Sequence, residues 1–253
     1  KGLLEVCKAN TEFVFLREKA DVNIKHKFSE LKEGLGMKED INLIESYDVS
    51  HHAGKNAVAG CVVYSIQGKN KHAYRSYNIS KENLGNDIGS MLEIFERRFK
   101  KERIKELPSL IIIDGGRTHL ENTLKKFKEL SLDDVNVIAI SKGARRRAVF
   151  DTIHMENNYS VLIKPGSVFH NFIQEIRDET HRYAITLQKK KMIKSTMQSS
   201  IDNLAGIGAA RKKILLRYFG SLEQMKRASI QDLCEVSGIG ENTAKSIFKQ
   251  LHE

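Results

Sequence analysis

The stretch SYDVSHH sets Asp48 beside Ser50, His51 and His52, and three groups of related chemistry lie far along the chain: Asp87 in GND, Asp114 in LIIIDGG and His181 in RDETHR. A carboxylate next to two histidines suggests a local metal site. Residues adjacent in sequence point in different directions, however, so His51 and His52 are not expected to ligate one ion together. For either histidine, a turn or capping role or a phosphate contact is as good a reading as catalysis. The other option is convergence of distant carboxylates. These suit Mg²⁺, a hard ion that prefers oxygen ligands and keeps several waters. Two such ions about 3.5–4 Å apart promote phosphodiester cleavage by stabilising the attacking and leaving oxygens. Each acid also has a plainer role: Asp87 as a helix N-terminal charge, Asp114 as a turn former before Gly115-Gly116. Asp178, three residues before His181 on the same helix face, reads as a surface partner of Arg177 or Arg182 and stays outside the ligand set.

These groups meet only if the intervening elements bring them together. Ile41 to Asp48, Ala57 to Ile66 and His72 to Ile79 are short β-rich runs separated by glycine-containing turns at Gly54 and Gly68, which predicts an antiparallel meander. Asp87 to Ile104 is helical, with Met91, Ile94, Phe95 and Phe99 on one side. SLIIIDGG is a continuous apolar run, as in a strand buried on both faces. A helix from Thr118 to Leu130 and a strand from Val135 to Ile140 follow. The order β-β-β-α-β-α-β predicts an α/β mixed sheet of ribonuclease-H-like type with covering helices. In such a sheet the first and fourth strands are neighbours, so Asp48 and Asp114 face each other and Asp87 begins the helix between them. VFDTIH and YSVLI read as a hairpin, and a long helix runs from Ser167 to about Met192, ending in the basic QKKKMIK. At the start, residues 3 to 36 carry a loose helical pattern that Gly34 and Gly36 end. The expected division is a helical linker over 1–38, the α/β domain over 39–195 and a small all-α domain over 199–253.

That last domain holds a repeat. LAGIGAARKKILLRYFGS and VSGIGENTAKSIFKQL align on Gly206-Ile207-Gly208 and Gly238-Ile239-Gly240, about 32 residues apart. Each copy reads as helix, Gly-x-Gly turn, helix. Glycines at Gly206, Gly208, Gly238 and Gly240 let a backbone come close, and N–H groups at the following helix start favour an anion. Arg211, Lys212 and Lys213 in the first copy and Lys245 in the second add charge that can meet phosphates without reading sequence. The pattern predicts a tandem helix-hairpin-helix module, the first copy being the better phosphate binder because Glu241 follows the second turn.

The bulk numbers agree with a phosphate-binding partner. Over 253 residues the net charge is +10, with 40% hydrophobic and 29% charged residues, as in a globular protein that favours polyanions. No apolar run approaches the roughly 20 residues that cross a bilayer, which predicts no membrane partner. Cys7, Cys61 and Cys234 are few and far apart, which predicts reduced thiols and a cytoplasmic setting rather than a disulfide or thiolate zinc framework. Lys1 at the start suggests a piece of a longer protein.

Read in order, ESYDVSH with AVAGCVVY, YRSYNI with GND, LIIIDGG, and IRDETHRYAI leading into SSIDNLAGIGAARKKILLRYFGS resemble the C-terminal half of the UvrC family, from about Ile41 to the chain end. The resemblance implies a ribonuclease-H-like endonuclease domain followed by tandem helix-hairpin-helix motifs. It implies incision on the 5′ side of a lesion in double-stranded damaged DNA during bacterial nucleotide-excision repair, with Mg²⁺ or Mn²⁺. It also implies UvrB as partner in a pre-incision complex, through a motif outside this chain. Family catalytic positions fall on Asp48, Asp114 and His181, with Asp87 as a further acid whose acidic neighbour is here Asn86. His51 lies in the family motif. Where the family usually continues Lys-Gly-Gln after Asp-Gly-Gly, this chain has Arg117, Thr118 and His119, and Arg117 keeps a charge that can contact DNA. Two other functions fit the residues: a catalytically silent DNA-binding scaffold, and a structure-specific nuclease acting outside excision repair.

Overall fold

The computed structural model describes residues 23–52, 56–100, 106–141, 151–163, 165–202, 204–220 and 222–252. Two compact units divide after Gln188. In the first, β1 (Leu43–His52), β2 (Asn56–Ser65), the two-residue β3 (Gly68–Lys69) and β4 (Arg75–Asn78) precede α2 (Asp87–Arg98). Then come β5 (Leu110–Asp114), α3 (Arg117–Glu129), β6 (Asn136–Ser141), β7 (Thr152–His154), β8 (Ser160–Leu162) and, as far as Gln188, α4 (Val168–Asp202). Residues 23–35, before β1, form α1. The strands lie in one sheet in the order β3-β2-β1-β5-β6-β7-β8, with β4 also paired to β2. β1, β5 and β6 are parallel; β2 is antiparallel to β1 and β4, and β7 and β8 form the expected hairpin.

The parallel centre follows from sequence. Leu110, Ile111, Ile112 and Ile113 are all buried, alternately toward opposite faces, so β5 can exist only as an inner strand covered on both sides. On one face Tyr47, Ile111 and Ile113 pack against Met91, Ile94 and Phe95 of α2 and Leu120 and Phe127 of α3. On the other, Ile44, Leu110 and Ile112 pack against Phe172, Ile173 and Ile176 of α4 and Phe28, Leu31 and Leu35 of α1. The described part of the segment expected as a linker is thus a packed layer of the fold; residues 1–22 lie outside the described residues.

Several expected boundaries move. β1 continues through Ser50 to His52, so SHH is strand rather than turn: His51 and His52 stand opposite Ala57 and Asn56 in the antiparallel ladder. The third expected strand starts only at Arg75, because Lys71–Ala73 forms a 3-10 turn that draws Tyr74 N–H onto the Lys71 carbonyl. α2 stops at Arg98 instead of reaching Ile104, since buried Phe99 leaves helical geometry at φ −102, ψ 25; residues 101–105 lie outside the described residues. α4 runs ten residues past Met192, to Asp202.

α4 is fastened to the sheet by polar contacts. Thr180 Oγ1 donates to Ser46 Oγ at 2.9 Å, Tyr74 hydroxyl to Glu179 Oε1 at 3.0 Å, and Ser50 Oγ to Gln188 Oε1 at 2.7 Å. Hydrogen bonds from Arg182 hold the Glu179 carboxyl below the usual carboxylate range despite its burial. At Gly60 β2 and α4 pack closely: a Cβ there would sit 2.9 Å from the Tyr183 ring and 3.3 Å from the Ala184 amide nitrogen.

The second unit holds α5 (Ala209–Phe219), α6 (Leu222–Arg227), α7 (Ile230–Cys234) and α8 (Glu241–His252) around Leu215, Met225, Leu233, Ala244 and Ile247. Both Gly-Ile-Gly turns are present. Gly206 and Gly238 adopt left-handed φ of 75° and 83°, which a side chain resists, and the intervening Ile207 and Ile239 plug the core. Among the described residues, no helix is long and apolar enough to cross a membrane.

Candidate active site and nucleic-acid interface

In the parallel register of β1 and β5, Tyr47 stands opposite Ile113. One residue further, Asp48 within β1 and Asp114 at the end of β5 reach the same level on strands that lie ~4.8 Å apart. Strand alternation puts Asp48 on the side of Ser46 and Ile44, and Asp114 on the side of Ile112 and Leu110. That is the face α4 covers, and α4 supplies a partner to each acid. His181 Nδ1 lies 3.0 Å from Asp48 Oδ2. Arg177, one helical turn earlier, donates from Nη2 to Asp114 Oδ1 at 3.1 Å. The His181 ring stays largely exposed while the Asp48 side chain is only 14% exposed.

Arg177 is a residue that sequence reasoning placed wrongly. It was expected beside Asp178 on the surface, but its guanidinium spans Asp114 and the buried Asp151, which also accepts from Gln174 Nε2. Arg182, the other expected partner of Asp178, turns to Glu179. Spacing held one clue, since Arg177 is four residues before His181 and therefore on its face. Asp151 held none, because it follows the least readable stretch of the chain.

The other expected site residues are distributed. Asp87 is the exposed first residue of α2, with Asn86 as N-cap accepting from Gly89 N–H at 2.9 Å. α2 covers the face opposite α4. Among the described residues, no three His, Cys, Asp or Glu side chains form a group that could hold a metal ion. Asp87 thus begins the helix that covers the other face, whereas Asp48 and Asp114 are met from α4 by His181 and Arg177. Arg117 grips the β7–β8 hairpin: it donates to Asn158 Oδ1 and Ser160 Oγ, each at 2.8 Å, and to the Tyr159 carbonyl at 3.4 Å. His154, bonded to Ser141 Oγ at 2.8 Å, has its pKa lowered by burial and by nearby Arg117.

In the second unit, Gly208 and Gly240 are in open surroundings: a Cβ on either would meet nothing within 4 Å. Gly208 has φ −68 and ψ 155, open to any residue, so its own fold does not require glycine there. Arg211 and Lys213 are exposed in the first turns of α5, and Lys212 is half-buried. Lys245 is engaged by Glu241 at 2.7 Å, which leaves the second turn with less charge to offer.

Comparison with known proteins gives two family matches. The model described as the UvrC RNAse H endonuclease domain covers residues 32–185, and that of the SAM-like helix-hairpin-helix tandem covers 199–253. UvrABC system protein C of Pseudomonas fluorescens (strain SBW25) is 35% identical over 229 residues, which is 89% of this chain and 38% of that protein. The protein of the same name from Legionella pneumophila (strain Lens) is 34% identical over 232 residues, 90% of this chain and 37% of that one. The chain thus spans less than two fifths of the length of these curated relatives. Among solved structures, Ciona intestinalis Endonuclease V in complex with a 24mer DNA aligns with TM-score 0.38 and 11% identity, over 72% of this chain and 99% of that one.

Proposed function

This chain belongs to the UvrC family, with a ribonuclease-H-like domain followed by a helix-hairpin-helix tandem, and from that premise we propose that it is the part of a nucleotide-excision-repair nuclease that cuts damaged DNA on the 5′ side of the lesion. The observation that carries this reading is the pair Asp48 and Asp114, level on adjacent parallel strands under α4. The pair fits a hard divalent ion. Among the described residues, the hydrogen bonds of the two acids use Oδ2 of Asp48 and Oδ1 of Asp114, so one oxygen of each carboxylate remains for an ion that keeps its other waters. Bound there, Mg²⁺ or Mn²⁺ would supply Lewis-acid stabilisation of phosphate oxygens and a water of lowered pKa.

The chain's own residues do the rest. Asp48 fixes the His181 ring through Nδ1, which turns Nε2 outward to take or give a proton at the reacting phosphate. Arg177 reaches Asp114 from the side of α4. Asp87 is assigned to the metal set on the family resemblance alone, and Arg117 to DNA contact likewise. The glycine turns and α5 grip the backbone without reading bases, so lesion choice falls to partners such as UvrB.

The test is a duplex with one lesion, labelled at one 5′ end and loaded with UvrB, incubated with the chain and Mg²⁺. The expected product is one nick 5′ of the lesion, with 3′-hydroxyl and 5′-phosphate ends, absent with a chelator. No nick at any metal concentration would favour the silent scaffold; equal cutting of undamaged junctions or RNA–DNA hybrids would favour a nuclease outside excision repair. The grip has its own test. Gly208→Ala together with Gly240→Ala should leave the melting temperature unchanged, since no neighbour is met. Duplex affinity should fall about tenfold, or ~1.4 kcal/mol, because the backbone approach is blocked. The salt dependence of binding should stay as it was, whereas Arg211→Ala with Lys213→Ala should flatten it.

A further inference from the structure

A cation already stands at the candidate site. The Arg177 side chain is 11% exposed and reaches Asp114 with Nη2 and the 3% exposed Asp151 with Nη1, while its buried Nε has no partner among the described residues. Asp151 immediately precedes β7, whose first residue Thr152 stands opposite Ser141; the residue before that, Ile140, stands opposite Asp114. Asp48, Asp114 and Asp151 therefore lie along the same edge of the sheet. Gln174, three residues before Arg177 on α4, donates to the same Asp151 oxygen and holds that carboxylate in place.

The two acids that Arg177 joins differ in what they can do alone. Asp114 is 41% exposed, so water can take the place of the guanidinium beside it. Asp151 is 3% exposed, and burial leaves water little access to replace the guanidinium there. Its contact with Arg177 is therefore the costlier one to give up, and the bond from Arg177 to Asp114 the more readily exchanged.

We propose that Arg177 is a positioning residue that occupies Asp114 as a resident counter-ion when no metal is bound, and that Asp151 is the anchor onto which its charge is withdrawn when a divalent ion takes Asp114. This rests on the reading of Asp48 and Asp114 as metal ligands. The arrangement makes metal affinity depend on a balance between two carboxylates, and that balance can be shifted either way. Removing Arg177 and Asp151 together frees Asp114 of a competing positive charge. Removing the charge of Asp151 alone leaves Arg177 with Asp114 as its remaining anion and tightens its hold there. A pair that merely braces the hairpin against α4 would leave metal affinity unchanged in the double variant, which keeps the net charge.

The experiment is titration of Mn²⁺ into the whole chain, followed by calorimetry and by loss of the free-ion paramagnetic resonance signal. Arg177→Gln with Asp151→Asn is expected to bind Mn²⁺ at least about tenfold more tightly than the unsubstituted chain, and Asp151→Asn at least threefold more weakly. Melting curves identify any variant that does not fold; if the double variant fails, a second charge-neutral pair, Arg177→Met with Asp151→Leu, takes its place. Equal affinity in all folded forms, or a shift opposite to either expectation, overturns the proposal. Asp48→Asn separates this from the underlying reading. If it leaves Mn²⁺ binding unchanged, or if the unsubstituted chain takes no ion, the ligand assignment fails and the proposal with it. If Asp48→Asn abolishes binding and the Arg177 and Asp151 variants do not differ, the proposal fails alone.

Discussion

Asp48→Asn and Asp114→Asn should each lower incision of a lesion-containing duplex by about a thousandfold or more, close to 4 kcal/mol at 1.36 kcal/mol per decade. Both substitutions keep the shape of the side chain and remove its charge, so they test the carboxylate rather than the space it fills. Neither should unfold the protein. Asp114 is half exposed and Arg177 keeps Asp151 when it is lost; Asn at position 48 can still accept from His181 Nδ1. The double variant should be no slower than the worse of the singles, because both acids serve one centre and their effects do not add. His181→Ala should lose less, about a hundredfold, as expected of a group that moves a proton. Cleavage undiminished in either Asp variant would remove that acid from the site.

Much of the frame behind that expectation was legible in the chain. LIIIDGG announces an inner strand ending in an acid, because four successive buried apolar residues have no other use at that length. The β-β-β-α-β-α-β order then makes β1 and β5 neighbours. The tandem turns were legible because the same glycine recurs where the backbone needs a left-handed φ, at Gly206 and Gly238. What periodicity could not carry is which side chain meets which across the layers. Arg177 and Asp151 are 26 residues apart, and their contact depends on how the hairpin and α4 dock together. SHH looked like a turn because polar residues precede Gly54, yet its backbone continues the ladder with β2 as far as Asn56. The end of α2 was misplaced for a similar reason: Phe99 fits the helical stripe, but its ring is buried against Phe95 and Phe127 after the helix has closed.

The largest loss of stability should come from a residue that has no part in the chemistry, Glu45. It sits on β1 three residues before Asp48 and faces α2, with 1% of its side chain exposed. Arg98 donates to it from Nε at 3.1 and 3.2 Å and from Nη2 at 2.8 Å, Arg75 donates at 2.9 Å, and the Tyr47 hydroxyl adds a further bond. Burial works against the charge on Arg98, and the carboxylate of Glu45 more than offsets it, so the guanidinium pKa stands above its ordinary value. Glu45→Ala leaves two cations facing a void. Arg75, with 39% of its side chain exposed, can turn to water, but Arg98 at 5% cannot. The expected loss is about 3–5 kcal/mol, the usual result of stranding one member of a buried ion pair. At about 2–4 °C per kcal/mol for a domain of this size, the melting temperature of the first unit should drop by about 6–20 °C in calorimetry. Glu45→Gln with Arg98→Met is the control: it removes both charges, keeps the volume, and should recover most of the loss. If the single variant lost less than about 1 kcal/mol, Arg98 would have to be stabilised by what remains, its 2.9 Å bond to the Glu106 carbonyl and its stacking 4.9 Å from the Phe99 ring. The grip of α2 on β1 would then be apolar, through Tyr47 and Phe95, rather than ionic.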